Sequence, residues 1–376
     1  MNLIKKYPIT FWVLIIFLVF FIVNKISKSF LDITNFEKRF RPNFVEKVYG
    51  EKNKEDYLKV LEEQTYPLKY APFIEFREQP RLGKFVAVSE IGNTCNQNNL
   101  NKCLGPLGGT DEIWIFGGST SFGYGVKNNE TIAAYLEKFY LGKKNIINFG
   151  NGFFYSTQER IFFQNLLTYL DPPYAAIFID GANDFGREWN MNETVYSNAI
   201  RNSLEKKDKD KFGKKFTHWL KERITRLNIY RLIQQNFSNK NKKITKLVES
   251  AVSEEKVKQL IRRFKQNHKI NVAVGSSYGI IVLTVLQPVP IYEYSYTLSK
   301  FPKDYINVNE KRSSNMMLAY KLLSDEENSI KKSKFFLDLK NFKINDAMYV
   351  DAIHYSPKFN NAIAREIFNF LKIYYD

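Results

Sequence analysis

Five short apolar runs punctuate the chain from residue 113 onward: Ile113–Gly117, Ile146–Phe149, Ala175–Asp180, Ile280–Leu286 and Phe335–Leu339. Each has the length of a strand, carries aromatic or β-branched residues and is bounded by turn formers, the pattern of a buried strand. Between the runs the period changes to that of a helix. Ile132, Tyr135, Leu136 and Phe139 share one face of a predicted helix over Thr131–Tyr140. Ser156-Thr-Gln-Glu159 reads as a capping box that opens a helix running to about Leu170, where Asp171-Pro-Pro stops it. Ser253–Gln266 reads as helical. Ser356 and Pro357 open a last helix whose buried face is Ile363, Ile367, Phe370 and Leu371. Strands alternating with helices predict an α/β fold, a three-layer α/β/α sandwich around a central parallel sheet.

One apolar run differs in kind. No charge occurs between Tyr7 and Asn24, and Lys5, Lys6, Lys25 and Lys28 flank the run. Its length is close to the roughly 20 residues that a membrane-spanning helix needs, and flanking lysines can snorkel to the interface. A cleaved signal peptide is the rival reading, but Asn24–Phe30 offers only a poor small-x-small site. Residues 1–28 are therefore expected to form an uncleaved, single-pass N-terminal anchor. Lysines nearly balance across it, so the positive-inside rule leaves its orientation open. Residues 29–110 read as a charged, aromatic-rich connector without a clean period, closed by Leu104-Gly-Pro-Leu-Gly-Gly109. The folded domain is expected over 111–376, interrupted by a basic, mostly helical insert at about 187–269.

Charge changes this picture in one place. The net charge is +17, and residues 201–270 alone hold 21 Lys and Arg against 7 Asp and Glu. A local excess without a recognisable nucleic-acid-binding fold reads as a solvated lid or arm, with attraction for anionic lipid or an anionic polymer as the alternative, so no nucleic-acid partner is expected. The two cysteines, Cys95 and Cys103, are spaced to permit a disulfide, which only a compartment outside the cytosol would sustain. No histidine lies near them, so no metal site is expected.

Candidate chemistry gathers at strand ends. Ser119 follows the first run at once, where open α/β sheets place their ligands. A serine hydroxyl needs a general base within hydrogen-bond reach and a group that orients the base. Of three histidines, His218 and His268 sit among the polar and basic residues of the insert and read as surface residues. His354 carries Asp351 three residues before it and is the candidate base. Gly118 and Gly123 have the spacing of a phosphate-binding loop, but Tyr124 stands where the lysine is required. A dinucleotide fingerprint is absent as well, and no cofactor is expected.

Four blocks in order, around Gly118-Ser119, Asn148–Glu159, Gly181-Ala-Asn183-Asp184 and Asp351-Ala-Ile-His354, resemble the SGNH hydrolases, also called GDSL-like esterases and lipases. The resemblance runs from about Ile113 to the C-terminus and implies their flavodoxin-like sandwich. It implies a catalytic Ser119, His354 and Asp351. It also implies an oxyanion hole made of the Ser119 backbone N–H, the Asn183 side-chain amide and one backbone N–H of the second block, normally a glycine's. With Asn148 and Ser156 aligned to that block, Phe153 takes the glycine position and Gly152 comes one residue earlier, so Gly152 and Phe153 both stay open. Gly118 departs from the aspartate of the GDSL name. Asp180 and Asp184 read as turn or cap carboxylates, and Gln287 as a rim residue. The implied function is hydrolysis of an acyl ester through an acyl-enzyme, with an acylated glycan as one candidate substrate. An O-acyltransferase acting on a cell-surface polysaccharide is the alternative, and a non-catalytic assembly protein on the same fold is the third reading. The cysteine pair and the habit of the family imply that the domain lies outside the cytoplasm.

Overall fold

The computed structural model describes residues 46, 48–65, 68–96, 108–186, 253–292, 311–325 and 333–375, with helical positions at 12, 13, 15 and 18–26. Residues 43–196 and 252–376 form one compact unit, and residues 1–42 with 197–251 form another. In the second unit only the N-terminal helical positions are described, so most of the basic insert, 187–252, lies outside the described residues, as does Cys103. Among the described residues no helix is long and apolar enough to cross a membrane.

The main unit opens where the pattern predicts a connector. Lys54–Glu63 is a helix (α1). Two antiparallel hairpins follow, Lys69–Ala71 with Glu75–Arg77 (β1, β2) and Arg81–Leu82 with Ala87–Val88 (β3, β4). Strands of two or three residues are too short to print an alternation on the sequence. Their side chains nonetheless reach the core: Ile74 and Phe76 join the cluster under one face of the main sheet. Thr94 bridges both Val88 and Asn148, tying the second hairpin to the edge of that sheet.

The main sheet matches the five apolar runs. Glu112–Gly117 (β5), Asn145–Asn148 (β6), Ala175–Asp180 (β7), Ile281–Leu286 (β8) and Phe336–Asp338 (β9) pair in the order β6-β5-β7-β8-β9. Every pair is parallel. This is the flavodoxin-type order, in which the chain starts inside the sheet and reverses direction once. The crossover helices include Ser119–Phe122 (α2), Ile132–Phe139 (α3), Ser156–Leu166 (α4), Ala182–Phe185 (α5), Glu254–Ser277 (α6) and Lys311–Leu322 (α7), with Pro357–Tyr375 (α8) closing the described chain.

Successive residues of a strand point to opposite faces, and both faces here are covered. Ile113, Ile115, Ile177 and Ile179 meet Ile132 and Leu136 of α3 and Ile363, Ile367 and Leu371 of α8. Trp114, Phe116 and Phe178 meet Phe162, Phe163 and Leu166 of α4. Phe116 stacks between Phe149 and Phe178, with ring centroids 5.3 and 5.0 Å away. Such aromatic pairs add about 0.5–1.5 kcal/mol each beyond the area they bury.

Two helix readings need correction. Tyr155, not Ser156, is the N-cap of α4, and Ser156 and Glu159 turn inward to a polar cluster instead of closing a capping box. Residues 254–269, counted with the insert, belong to α6, which continues to Ser277 and buries Val257, Leu260, Ile261 and Phe264. The helix read over Ser253–Gln266 is thus present but longer, and the lysines and arginines on its other face masked its buried stripe in the sequence.

Candidate active site

Ser119 is the first residue of α2, immediately beyond β5. A Cβ on Gly118 would lie 2.5 Å from the Asn183 side-chain nitrogen and 3.1 Å from the Phe154 carbonyl oxygen. Only glycine allows that approach, and through it the serine turn, the second block and the Asn block converge. Asn183 Nδ2 donates to the Phe154 carbonyl at 2.7 Å. Asn148 Nδ2 donates to the Ser121 carbonyl at 2.9 Å, and its Oδ1 accepts from the Gly150 N–H at 2.9 Å.

The base arrives from a loop between β9 and α8. Ser356 N–H donates to the Met348 carbonyl and Val350 N–H to the His354 carbonyl, both at 2.8 Å, so residues 348–356 close on themselves. Within the closed loop, Asp351 Oδ1 accepts the N–H groups of Ile353 and His354 at 2.8 Å each. Its Oδ2 lies 2.6 Å from His354 Nδ1. The other ring nitrogen, Nε2, lies 2.8 Å from Ser119 Oγ, across 235 residues of sequence. With Nδ1 donating to the carboxylate, Nε2 is the acceptor for the serine proton. Burial pushes the Asp351 carboxyl up, but the His354 charge, the imidazole hydrogen bond and the two backbone N–H groups outweigh it and hold it at about 2. Half of the Asp351 side-chain surface is exposed, so the hydrogen bonds count for more here than the burial.

The second block forms a tight turn. Phe154 N–H donates to the Asn151 carbonyl at 3.2 Å, and Phe153, its third residue, has φ +70°. Turns with a positive φ at that place ordinarily use glycine or asparagine. The Gly152 N–H is engaged, donating to Glu78 Oε1 at 3.2 Å. Tyr124 O–H donates to the same oxygen at 3.2 Å, and its ring stacks on the His354 imidazole with centroids 5.5 Å apart.

Not every residue singled out in the sequence reaches this site. Gln287 is buried, not on the rim, and donates to Tyr355 O–H at 2.9 Å. His268 is no surface residue: its Nδ1 lies 2.9 Å from Thr284 Oγ1, and burial, with Lys269 nearby, pulls it down to about 4. His218 lies outside the described residues. Asp180 and Asp184 form a buried acidic cluster with Glu159, and Asp184 also serves as a cap, its Oδ2 accepting the N–H of Ser156, the first residue of α4, at 3.3 Å. Ser156 Oγ donates to Asp184 Oδ1 at 2.5 Å, and Asn267 Nδ2 donates to Ser156 Oγ at 2.8 Å. Burial raises all three carboxyls, and Glu159 is raised further by Asp180. Glu78, Arg81 and Tyr124 escaped sequence reading, and only Tyr124, within the first block, left a signal there.

No family model matches the chain, and no curated protein matches it. Solved structures of similar shape include a carbohydrate acetylesterase from Sinorhizobium meliloti, 12% identical with a TM-score of 0.36, covering 70% of this chain and 99% of that one. An inhibitor-bound aryl esterase of M. smegmatis is 14% identical with a TM-score of 0.33, covering 70% of this chain and 100% of that one. A lipase/acylhydrolase from Enterococcus faecalis is 11% identical with a TM-score of 0.32, covering 70% and 96%. Likenesses this distant carry no function, which is read from the chain's own geometry.

Proposed function

We propose that the chain is a serine-dependent ester hydrolase. The observation that carries this reading is the unbroken line from Ser119 Oγ through the His354 ring to Asp351, with hydrogen bonds of 2.8 and 2.6 Å. In the reaction, Ser119 Oγ attacks the ester carbonyl carbon while His354 Nε2 takes its proton. Asp351 holds the ring and stabilises the imidazolium. Negative charge on the carbonyl oxygen is met by the Ser119 backbone N–H, the Asn183 amide and the Phe153 backbone N–H. Each such donor is worth roughly 10²–10³ in rate. Phe153 is assigned the third donor because it takes the glycine position of the second block, while the Gly152 N–H donates to Glu78. His354 then protonates the departing alkoxide, leaving an acyl-enzyme. Water, deprotonated by the same ring, attacks that acyl group, and the acid leaves with Ser119 restored.

A complete triad also speaks against a purely structural role. A fluorophosphonate probe tests the proposal: wild type is expected to label, and Ser119→Ala and His354→Ala are expected to lose labelling. Absence of label on folded wild-type protein would sink it. Acyl esters offered with and without a polysaccharide acceptor separate hydrolysis from transfer, since free acid marks the one and acylated glycan the other.

We place the protein at a membrane, held by residues 1–28. Support comes from the apolar side chains of the described N-terminal helical positions, with Trp12 61%, Leu18 58%, Phe21 56% and Ile26 63% exposed. A helical surface of this kind favours an apolar surrounding. Cys95 is disulfide-bonded, and Cys103 is the only other cysteine in the chain, which favours a domain outside the cytoplasm. Fractionation of the full chain against a chain lacking residues 1–28 tests the anchor; recovery of both in the soluble fraction would refute it.

A further inference from the structure

We infer that Glu78, paired with Arg81, is a positioning residue that fixes the oxyanion turn and the ring over the catalytic imidazole; this rests on the hydrolase reading above. Glu78 and Arg81 flank the tip between the two N-terminal hairpins, in the stretch that looks like a connector in the sequence. Their side chains are almost wholly enclosed, 0% and 4% exposed, and Arg81 Nη1 meets Glu78 Oε2 at 3.1 Å. The guanidinium also lies over the ring of Phe122, the last residue of the serine helix α2, at 5.4 Å from its centroid. A buried ion pair of this kind is a weak source of stability, but moving either partner would leave the other's charge buried and unpaired, which opposes any displacement of Glu78.

What the pair fixes is functional. One carboxylate oxygen, Oε1, receives both the Gly152 N–H and the Tyr124 hydroxyl. The Glu78 backbone N–H donates to Asn151 Oδ1 at 2.9 Å, so the same residue holds the turn at its first position as well. At its far end the turn is tied to Asn183 through the Phe154 carbonyl. Phe153 thus sits in its left-handed conformation between two fastened neighbours. A non-glycine residue holds such a conformation only when its surroundings impose it. Through Tyr124 the same carboxylate also sets the ring that stacks on His354. Glu78 touches no reacting atom; it acts through Gly152, Phe153 and Tyr124.

The substitution Glu78→Gln keeps the shape but leaves a single acceptor oxygen. Arg81 claims that oxygen by its charge, and the amide NH₂ is then turned toward the Gly152 N–H and the Tyr124 hydroxyl, releasing the turn. Adding Arg81→Met returns the oxygen to Gly152. The experiment uses the full-length protein in detergent, with the fluorophosphonate probe to count active sites and p-nitrophenyl acetate to measure turnover per labelled site. Glu78→Gln is expected to label to the wild-type end point, to lose kcat per labelled site by about 10–100-fold, the scale of a misplaced catalytic group, and to change KM by less than about threefold. The double variant Glu78→Gln/Arg81→Met is expected to recover kcat at least about threefold over Glu78→Gln. An unchanged kcat per labelled site in Glu78→Gln, with any loss confined to the labelled fraction, would overturn the inference and leave the hydrolase reading intact. Wild type that neither labels nor turns over would overturn both.

Discussion

Asp351 divides its oxygens between two tasks, one closing its own loop through the Ile353 and His354 N–H groups and the other holding the imidazole. Asp351→Asn should keep the loop, since an amide oxygen can still accept both N–H groups, but should present the wrong partner to Nδ1. Turnover of p-nitrophenyl acetate is expected to fall roughly 10³–10⁴-fold while circular dichroism stays unchanged; a loss below about tenfold would mean that the carboxylate does not orient the base. Phe153 makes a different point. Its positive φ costs of the order of 1–3 kcal/mol, and its side chain is half exposed beside the turn. Phe153→Gly keeps the backbone donor, so activity on acetyl esters should stay within about tenfold of wild type. The ratio of kcat/KM for butyryl over acetyl esters should rise at least about fivefold, and a constant ratio across a p-nitrophenyl ester series would remove Phe153 from acyl selection. At this scale the sequence was readable where chemistry dictates residue type. A nucleophile, a base and an amide donor at strand ends leave few alternatives, so Ser119, His354, Asp351 and Asn183 stood out. Glu78 did not, because a carboxylate's role depends on what folds around it and no spacing announces that.

Elements were legible in proportion to their length and to the sameness of their surroundings. The inner strands of the central sheet are buried on both faces and so appear as unbroken apolar runs; β7, Ala175–Asp180, is buried at every position. The two N-terminal hairpins are too short for a period, and α6 hides its buried stripe among lysines. Helix α8 shows local chemistry read correctly: Ser356 Oγ accepts the Phe359 N–H at 3.2 Å and also donates to the Ala347 carbonyl. Ser356→Ala should cost about 1 kcal/mol through the lost cap, lowering the melting temperature by roughly 2–4 °C for a domain of this size. Because α8 begins three residues after His354, activity should decline at a lower temperature as well. A thermal melt and an inactivation curve check both, and an unchanged melt would show that the cap adds nothing.

At the scale of the molecule, two sets of carboxyls oppose each other. Burial raises Glu159, Asp180 and Asp184, so above the unfolded value near 4 the native state holds more protons than the unfolded one. Their contribution to stability therefore falls as pH rises through that window. Asp351 works the other way: its contribution is complete above the unfolded value and is lost as pH falls toward about 2. Neither oxygen of Glu159 meets a donor among the described residues, and Glu159→Gln makes the proton permanent. Melting temperature measured from pH ~4 to ~9 should fall less steeply on the alkaline side in Glu159→Gln than in wild type; parallel curves would exclude the cluster as the cause. Ser119 follows the first strand of the main sheet, whereas its base lies beyond the last, 235 residues later. Proteins are synthesised from the N-terminus, so the nucleophile and nearly the whole sheet leave the ribosome while the serine is still an ordinary alcohol. On the proposed hydrolase reading, a nascent chain is harmless to the esters around it, and reactivity begins only when the stretch from Asp351 through α8 has been made and has docked.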